Sequence, residues 1–221
     1  MKQIATIYTE FPQKFGVPRQ SGLVEELEGK IIFEEPYRFK DAVRGLEEFS
    51  HLWLIWEFSE NEEKPFSPTV RPPRLGGNTR VGVFATRSPF RPNRLGLSSV
   101  RIKSIDLECA QAPVITVCGA DLVSGTPILD IKPYVEGDVH TDAVFGFTRK
   151  VPFQDTTVII PDALAAVAGE HISALKKVLK NRPVPAYQNN PARIYGMDFA
   201  DMQVHFRVDG DTITVTDIRK Q

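Results

Sequence analysis

The chain has 221 residues, 27 Lys+Arg against 28 Asp+Glu, a formal charge of −1 and 42% hydrophobic residues, which suits one large domain or a medium and a small one and excludes wholesale disorder. Two cysteines and four scattered histidines exclude a disulfide framework and make a poor zinc site, so no metal is expected. The start, MKQIATIYTEF, lacks a signal-peptide run and no stretch approaches the roughly 20 apolar residues that span a bilayer, so a cytoplasmic protein without membrane attachment is expected.

Short apolar runs of β character, broken by Pro and Gly, predict strands at Gln3–Tyr8, Lys30–Phe33, Leu52–Phe58, Val81–Ala85, Ser98–Ile105, Val114–Gly119 and Ile128–Lys132. Asp41–Phe49 reads as a short helix. No long helix separates the strands, so residues 1–150 are expected to close, or nearly close, into a β-barrel. After Lys150 the texture changes. Leu164, Val167, Ile172, Leu175, Val178 and Leu179 recur at helical spacing and predict one amphipathic helix over Ala163–Lys180, capped by Asp162 and ended by Asn181-Arg182-Pro183. Val204, Phe206 and Val208, a turn at Asp209-Gly210-Asp211, then Ile213 and Val215 read as a β-hairpin. The fold class is therefore mainly β: an N-terminal barrel with a small C-terminal α+β domain over residues 151–221.

Near-neutrality hides an asymmetry. From Lys64 to Ile105 there is no Asp or Glu, whereas Lys64, Arg71, Arg74, Arg80, Arg87, Arg91, Arg94, Arg101 and Lys103 are all basic. The arginines stand among Pro, Gly and aromatic residues instead of on a polar helix face, a setting that favours pairing with a polyanion. Arg71-Pro72-Pro73-Arg74-Leu75-Gly76-Gly77-Asn78-Thr79-Arg80 joins a stiffened backbone to glycines that allow close approach. Ala85–Arg94 presents Arg87, Arg91 and Arg94 on a Pro-stiffened loop with little entropy left to lose on binding. Lys14–Gln20 is a third candidate loop, and an ordinary connection accounts for it equally well.

Asp121 and Ser124 flank a glycine turn in Ala120–Pro127. Asp130, Lys132 and Tyr134 share one face by two-residue alternation, either as a proton-handling cluster or as an exposed face with an ion pair. Ser50-His51 precede a strand without any G-x-S-x-G elbow, which argues against a serine hydrolase. Cys109 and Cys118 read as core or strand residues. The absence of G-x-x-x-x-G-K-[ST] and of G-x-G-x-x-G removes the common ATPase, GTPase and Rossmann readings. The residues alone lead to a β-barrel whose arginine loops bind a polyanion such as RNA, with the chemistry open.

KFGVPRQSGLV, DAVRGLEEFSHLWLIW, TVRPPRLGGNTRVGVFATRSPFRPN, LGLS and DLVSGTPILDIKPY, in that order within residues 3–135, resemble the TsaA-like family, and within it the bacterial tRNA methyltransferases. Arg182–Tyr187, with Tyr195 and Phe199, is similar to the small C-terminal domain of those enzymes. The resemblance implies a homodimeric barrel that binds S-adenosylmethionine (SAM) without a Rossmann domain. It further implies methylation of N6 of N6-threonylcarbamoyladenosine beside the anticodon, with the tRNA anticodon stem-loop as partner. Carried onto matching positions, it puts the cofactor against Thr9, Glu10, Phe11, Ser50, His51, Arg80, Phe90 and Asp121, Leu122, Val123 and Ser124. With that substrate, the basic loops are expected to hold the RNA through Lys14, Arg19, Arg71, Arg74, Arg87, Arg91 and Arg94, and the strand face offers Asp130 or Tyr134 as candidate proton acceptor. Two departures stand out: Ser124-Gly125-Thr126-Pro127 where the family reads D-G-T-P, and Asn93-Arg94-Leu95-Gly96 where it reads N-P-[IL]-G. The rival readings are a SAM-dependent methyltransferase of another substrate and a non-catalytic RNA-binding barrel.

Overall fold

A computed structural model describes residues 1–61, 65–151, 156–184 and 190–221; Lys64, and Pro185, Ala186 and Tyr187 of the tail motif, lie outside the described residues. In chain order the first eight strands are β1 (Ala5–Thr9), β2 (Glu28–Phe33), β3 (His51–Glu57), β4 (Thr69–Val70), β5 (Val81–Gly82), β6 (Leu95–Asp106), β7 (Val114–Cys118) and β8 (Thr126–Pro133). Six of them close an antiparallel barrel in the order β1-β2-β7-β6-β3-β8. Strand alternation explains the closure. Leu52, Leu54 and Trp56 of β3 point inward with Ala5, Ile7, Ile31, Val100, Ile115, Val117 and Ile128, and a closed ring leaves no unpaired edge.

Two expected elements change form. Val81–Ala85 is no barrel strand: β5 pairs with β4 in a separate ribbon, and Val83–Ala85 curls into a 3-10 turn. The expected helix at Asp41–Phe49 is two 3-10 turns, Lys40–Val43 and Leu46–Glu48, because Gly45 between them sits at φ +85°. Cys109 is exposed in the turn after β6, and only Cys118 is buried.

Beyond the short helix α1 (Phe147–Lys150), the remaining elements are β9 (Thr157–Ile159), α2 (Asp162–Ala168), α3 (Ile172–Lys180), β10 (Tyr195–Phe199), β11 (Met202–Asp209) and β12 (Thr212–Lys220). The single long helix expected over Ala163–Lys180 is thus broken, with Gly169 at φ +55° starting a 3-10 turn between α2 and α3. Asp162 is the first residue of α2, not its cap; that position falls to Pro161 and carries no side-chain hydrogen bond. The expected hairpin is β11–β12, flanked by β10 on one side and by the parallel β9 on the other. Ala174, Leu175, Val178 and Leu179 of α3 bury against this sheet.

The C-terminal core also takes Phe11, Val24 and Leu27 from the segment joining β1 to β2. The Phe11 ring lies 5.5 Å from that of Phe199, Ala200 N donates to Glu10 O at 2.7 Å, and Arg19 Nη2 donates to Arg182 O at 3.1 Å. Ser124 N donates to Phe11 O at 2.7 Å and Gly22 N to Gly119 O at 2.9 Å, so the barrel holds the same segment from its other side.

Candidate functional site

Antiparallel pairing brings the end of β3 and the starts of β6 and β8 to one end of the barrel, where Trp56 faces Gly96 and Ile128. A cavity of 420 Å³ opens there, between the barrel end and the segment Lys14–Arg19. Its apolar wall includes Trp56, Phe58, Leu97 and Leu122, and its acids are Glu57, Glu60 and the partly buried Asp121.

Trp56 is placed by glycine. A Cβ at position 96 would come within 2.2 Å of the indole, so a side chain there would push the ring away. In this position Trp56 Nε1 donates to Ser98 Oγ at 3.0 Å, and Ser98 Oγ donates to Asp121 Oδ1 at 2.6 Å. Burial pushes the Asp121 carboxyl above its ordinary range, against the lowering effect of the Ser98 hydrogen bond and of the Arg87 charge. Asp121 has no ion pair among the described residues. A desolvated carboxylate held by a neutral donor suits a ligand that brings its own positive charge.

Past Arg19, Thr86, Arg87, Pro89 and Arg91, which line both spaces, the cavity joins a cleft of 1520 Å³. Arg19, Arg71, Arg74, Arg80, Arg87, Arg91 and Arg94 all line this cleft, and among the described residues no acid does. Some of these arginines brace the loops. Arg91 donates to Val83 O at 3.2 Å and to Thr86 O at 2.7 Å, Arg94 pairs with Glu57 at 3.1 Å, and Arg74 donates to Thr148 O and Val151 O. Others reach further out: Arg80 donates to Thr69 Oγ1 at 3.0 Å and Arg87 to Leu97 O at 3.5 Å. Burial, with Arg74 and Arg182 nearby, lowers the Arg19 guanidinium below its ordinary value. Between these cations stand exposed aromatic rings, with Phe84 72% exposed and stacked 6.5 Å from Phe66, and Phe90 lining the same cleft.

The residues expected from the sequence fall into separate groups. Asp121, Leu122 and Val123 line the cavity together with Lys14, Arg19, Arg87 and Arg91, whereas Arg80 and Phe90 line only the cleft. Ser124 Oγ accepts from Thr9 N at 3.2 Å, and Thr9 Oγ1 donates to Leu122 O at 2.9 Å, so this pair builds the turn beneath the cavity. Glu10 accepts from Glu28 N at 3.1 Å and Phe11 is buried in the C-terminal core; neither lines the cavity. Ser50 and His51, their side chains 2.8 Å apart, sit at the opposite end of β3, about 17–20 Å from Trp56 by strand rise. Asp130 pairs with Lys132 at 2.8 Å, Tyr134 packs 5.4 Å from Trp53, and neither lines the cavity or the cleft. The sequence reading missed Trp56, Gly96 and Ser98, although a glycine within a strand pattern was a signal of close approach.

Among the described residues no group of three or more His, Cys, Asp or Glu could hold a metal, and no helix is long and apolar enough to cross a membrane.

Residues 6–138 match the family model of the tRNA-methyltransferase O N-terminal domain, and residues 154–221 match that of the TrmO C-terminal domain. The chain is 40% identical over 222 residues to the tRNA (adenine(37)-N6)-methyltransferase of Escherichia coli, which spans 94% of this chain and 92% of that protein. It is 34% identical to a Pyrococcus abyssi protein named as a probable S-adenosyl-L-methionine-binding protein, over 67% of this chain and 76% of the relative. The crystal structure of TrmO from Pseudomonas aeruginosa superposes with a TM-score of 0.79 at 30% identity, covering 99% of this chain and 96% of that one.

Proposed function

Because the chain belongs to the TrmO family of tRNA methyltransferases, we propose that it transfers the methyl group of SAM to N6 of adenosine 37 in tRNA. We further propose that the adenosine it acts on already carries the N6-threonylcarbamoyl group. The observation that carries this reading is the connection of a small cavity holding the Asp121 carboxylate to an arginine cleft that no acid lines among the described residues.

The residues present fit SAM. The cavity lies within the roughly 300–1,000 Å³ of small-molecule sites. Asp121 offers an anion to the ammonium group, Lys14, Arg19 and Arg87 offer cations to the carboxylate, and Trp56 and Phe58 offer apolar faces to the adenine. SAM, when bound, supplies an electrophilic methyl group on a sulfonium. The chain supplies alignment, which is the larger part of the acceleration when two bound reactants must meet.

For the tRNA, Arg71 and Arg80 are placed to meet backbone phosphates, while Phe84 and Phe66 offer stacking faces to unpaired loop bases. Arg87 and Arg91 stand where cavity and cleft join, a suitable place for the threonyl carboxylate beside the reacting nitrogen. We read the protein as a cytoplasmic homodimer. Val135 and Val139, exposed just after Tyr134, support a contact between two copies. A proton-accepting role for Asp130 or Tyr134 requires the second copy to bring them to the cavity.

Methyl transfer from SAM to purified tRNA, with and without the threonylcarbamoyl group, tests the proposal by nucleoside mass spectrometry. A gain of one methyl on the modified adenosine alone is expected. No gain with SAM binding intact points to another substrate, and no SAM binding leaves a non-catalytic RNA-binding barrel.

A further inference from the structure

We propose that Trp56 and Ser98 are positioning residues that hold one carboxylate oxygen of Asp121 so that the other meets an ammonium group bound in the barrel-end cavity. This rests on the reading of that cavity as the SAM site.

The chemistry of the three side chains fixes the direction of the relay. An indole N–H can only donate, so at 3.0 Å from Trp56 Nε1 the Ser98 hydroxyl must accept. Its single proton is then left for Asp121 Oδ1, 2.6 Å away. Ser98 is 0% exposed, so no bulk water competes for that proton. A hydroxyl committed to donating favours the ionised carboxylate and opposes the effect of burial. The indole itself is held in place because position 96 has no side chain. Three positions on two paired strands thus act on one acid in the loop after β7, and none of the three carries a charge.

A merely structural network would affect every ligand of the cavity alike, so the test compares two ligands. SAM carries the amino-acid end, while 5′-methylthioadenosine shares the adenosine, keeps the sulfur as an uncharged thioether and has neither the ammonium nor the carboxylate group. Calorimetric binding of both is measured for the full-length wild type, Ser98→Ala, Trp56→Phe and Ser98→Thr, with urea unfolding as a check that each folds. Ser98→Ala is expected to weaken SAM about tenfold, the scale of a lost hydrogen bond to a charged group, and to leave methylthioadenosine within about twofold, while Trp56→Phe, whose ring also lines the cavity, is expected to weaken SAM more than methylthioadenosine. In Ser98→Ala, the loss of SAM binding in acid should also move to higher pH. Ser98→Thr, which keeps the hydroxyl, should restore SAM binding.

Equal weakening of both ligands, or no weakening of SAM, overturns the relay while leaving the cavity assignment standing. A wild type that binds neither ligand overturns the cavity assignment itself, and the relay with it.

Discussion

Gly16 lies against the thioether of Met197: a Cβ at position 16 would come within 2.2 Å of Met197 Sδ, and the Gly16 backbone holds φ +101°. The contact joins the β1–β2 segment to β10 of the C-terminal sheet. Gly16→Ala is therefore expected to lose roughly 2–3 kcal/mol, from overpacking together with backbone strain. Gly45→Ala, at φ +85° with open space around it, should show only the strain of about 1 kcal/mol. Urea unfolding of the two variants reads the difference, and equal losses would mean that Met197 moves aside freely.

Arg71 lines the cleft and makes no hydrogen bond or ion pair among the described residues, so its loss should leave the loops in place. Arg71→Ala is expected to weaken tRNA binding severalfold and to reduce the slope of log affinity against log salt by about 0.7–0.9, without changing SAM binding. Arg91→Ala should behave differently. Arg91 braces Val83 and Thr86 and also lines the cavity, so SAM binding is expected to fall along with tRNA binding.

Phe84 gives up little when removed, being 72% exposed. Phe84→Ala should leave the unfolding midpoint unchanged yet weaken the anticodon stem-loop by about 1–3 kcal/mol, the range for a stacked base. Titration with stem-loop RNA measures this, and an unchanged affinity would remove Phe84 from the RNA face.

The Glu10 carboxyl is raised above its ordinary range, chiefly by burial, and its Oε2 is buried without a hydrogen-bond partner among the described residues. The folded state therefore holds this proton more tightly than the unfolded state. Its stabilising contribution is fully present below the unfolded pKa and is lost as the pH rises through the folded one. Glu10→Gln is expected to be more stable than wild type at pH 7, with the advantage shrinking as the pH falls through the raised pKa towards the ordinary carboxylate value. Urea midpoints at pH 7 and pH 4 check it, and a less stable variant at pH 7 would contradict the burial cost.

The barrel strands were readable because inward Leu52, Leu54 and Trp56 alternate with half-buried neighbours, a period that survives in one dimension. The break at Gly169 was not, since the apolar spacing continues straight across it. Gly196 and Asp198 obscured the alternation of Tyr195, Met197 and Phe199 in β10. At the site, Asp121 could be picked out from its motif. Its support could not, because Trp56 and Ser98 lie 42 positions apart and meet only through the register of β3 and β6. The cofactor contacts carried over to Ser50 and His51 sit at the far end of β3 from Trp56, a direction that spacing alone does not reveal.

Phe11, Val24 and Leu27 lie between the first two barrel strands in the chain, yet they are packed with Met197 and Phe199. A chain cut after the barrel would leave those three side chains facing water. Evolution could not then trim this protein by a single deletion; polar replacements at positions 11, 24 and 27 would have to accompany it. The two parts are bound to a shared mutational history, and substitutions on one side of the seam limit which substitutions the other side tolerates.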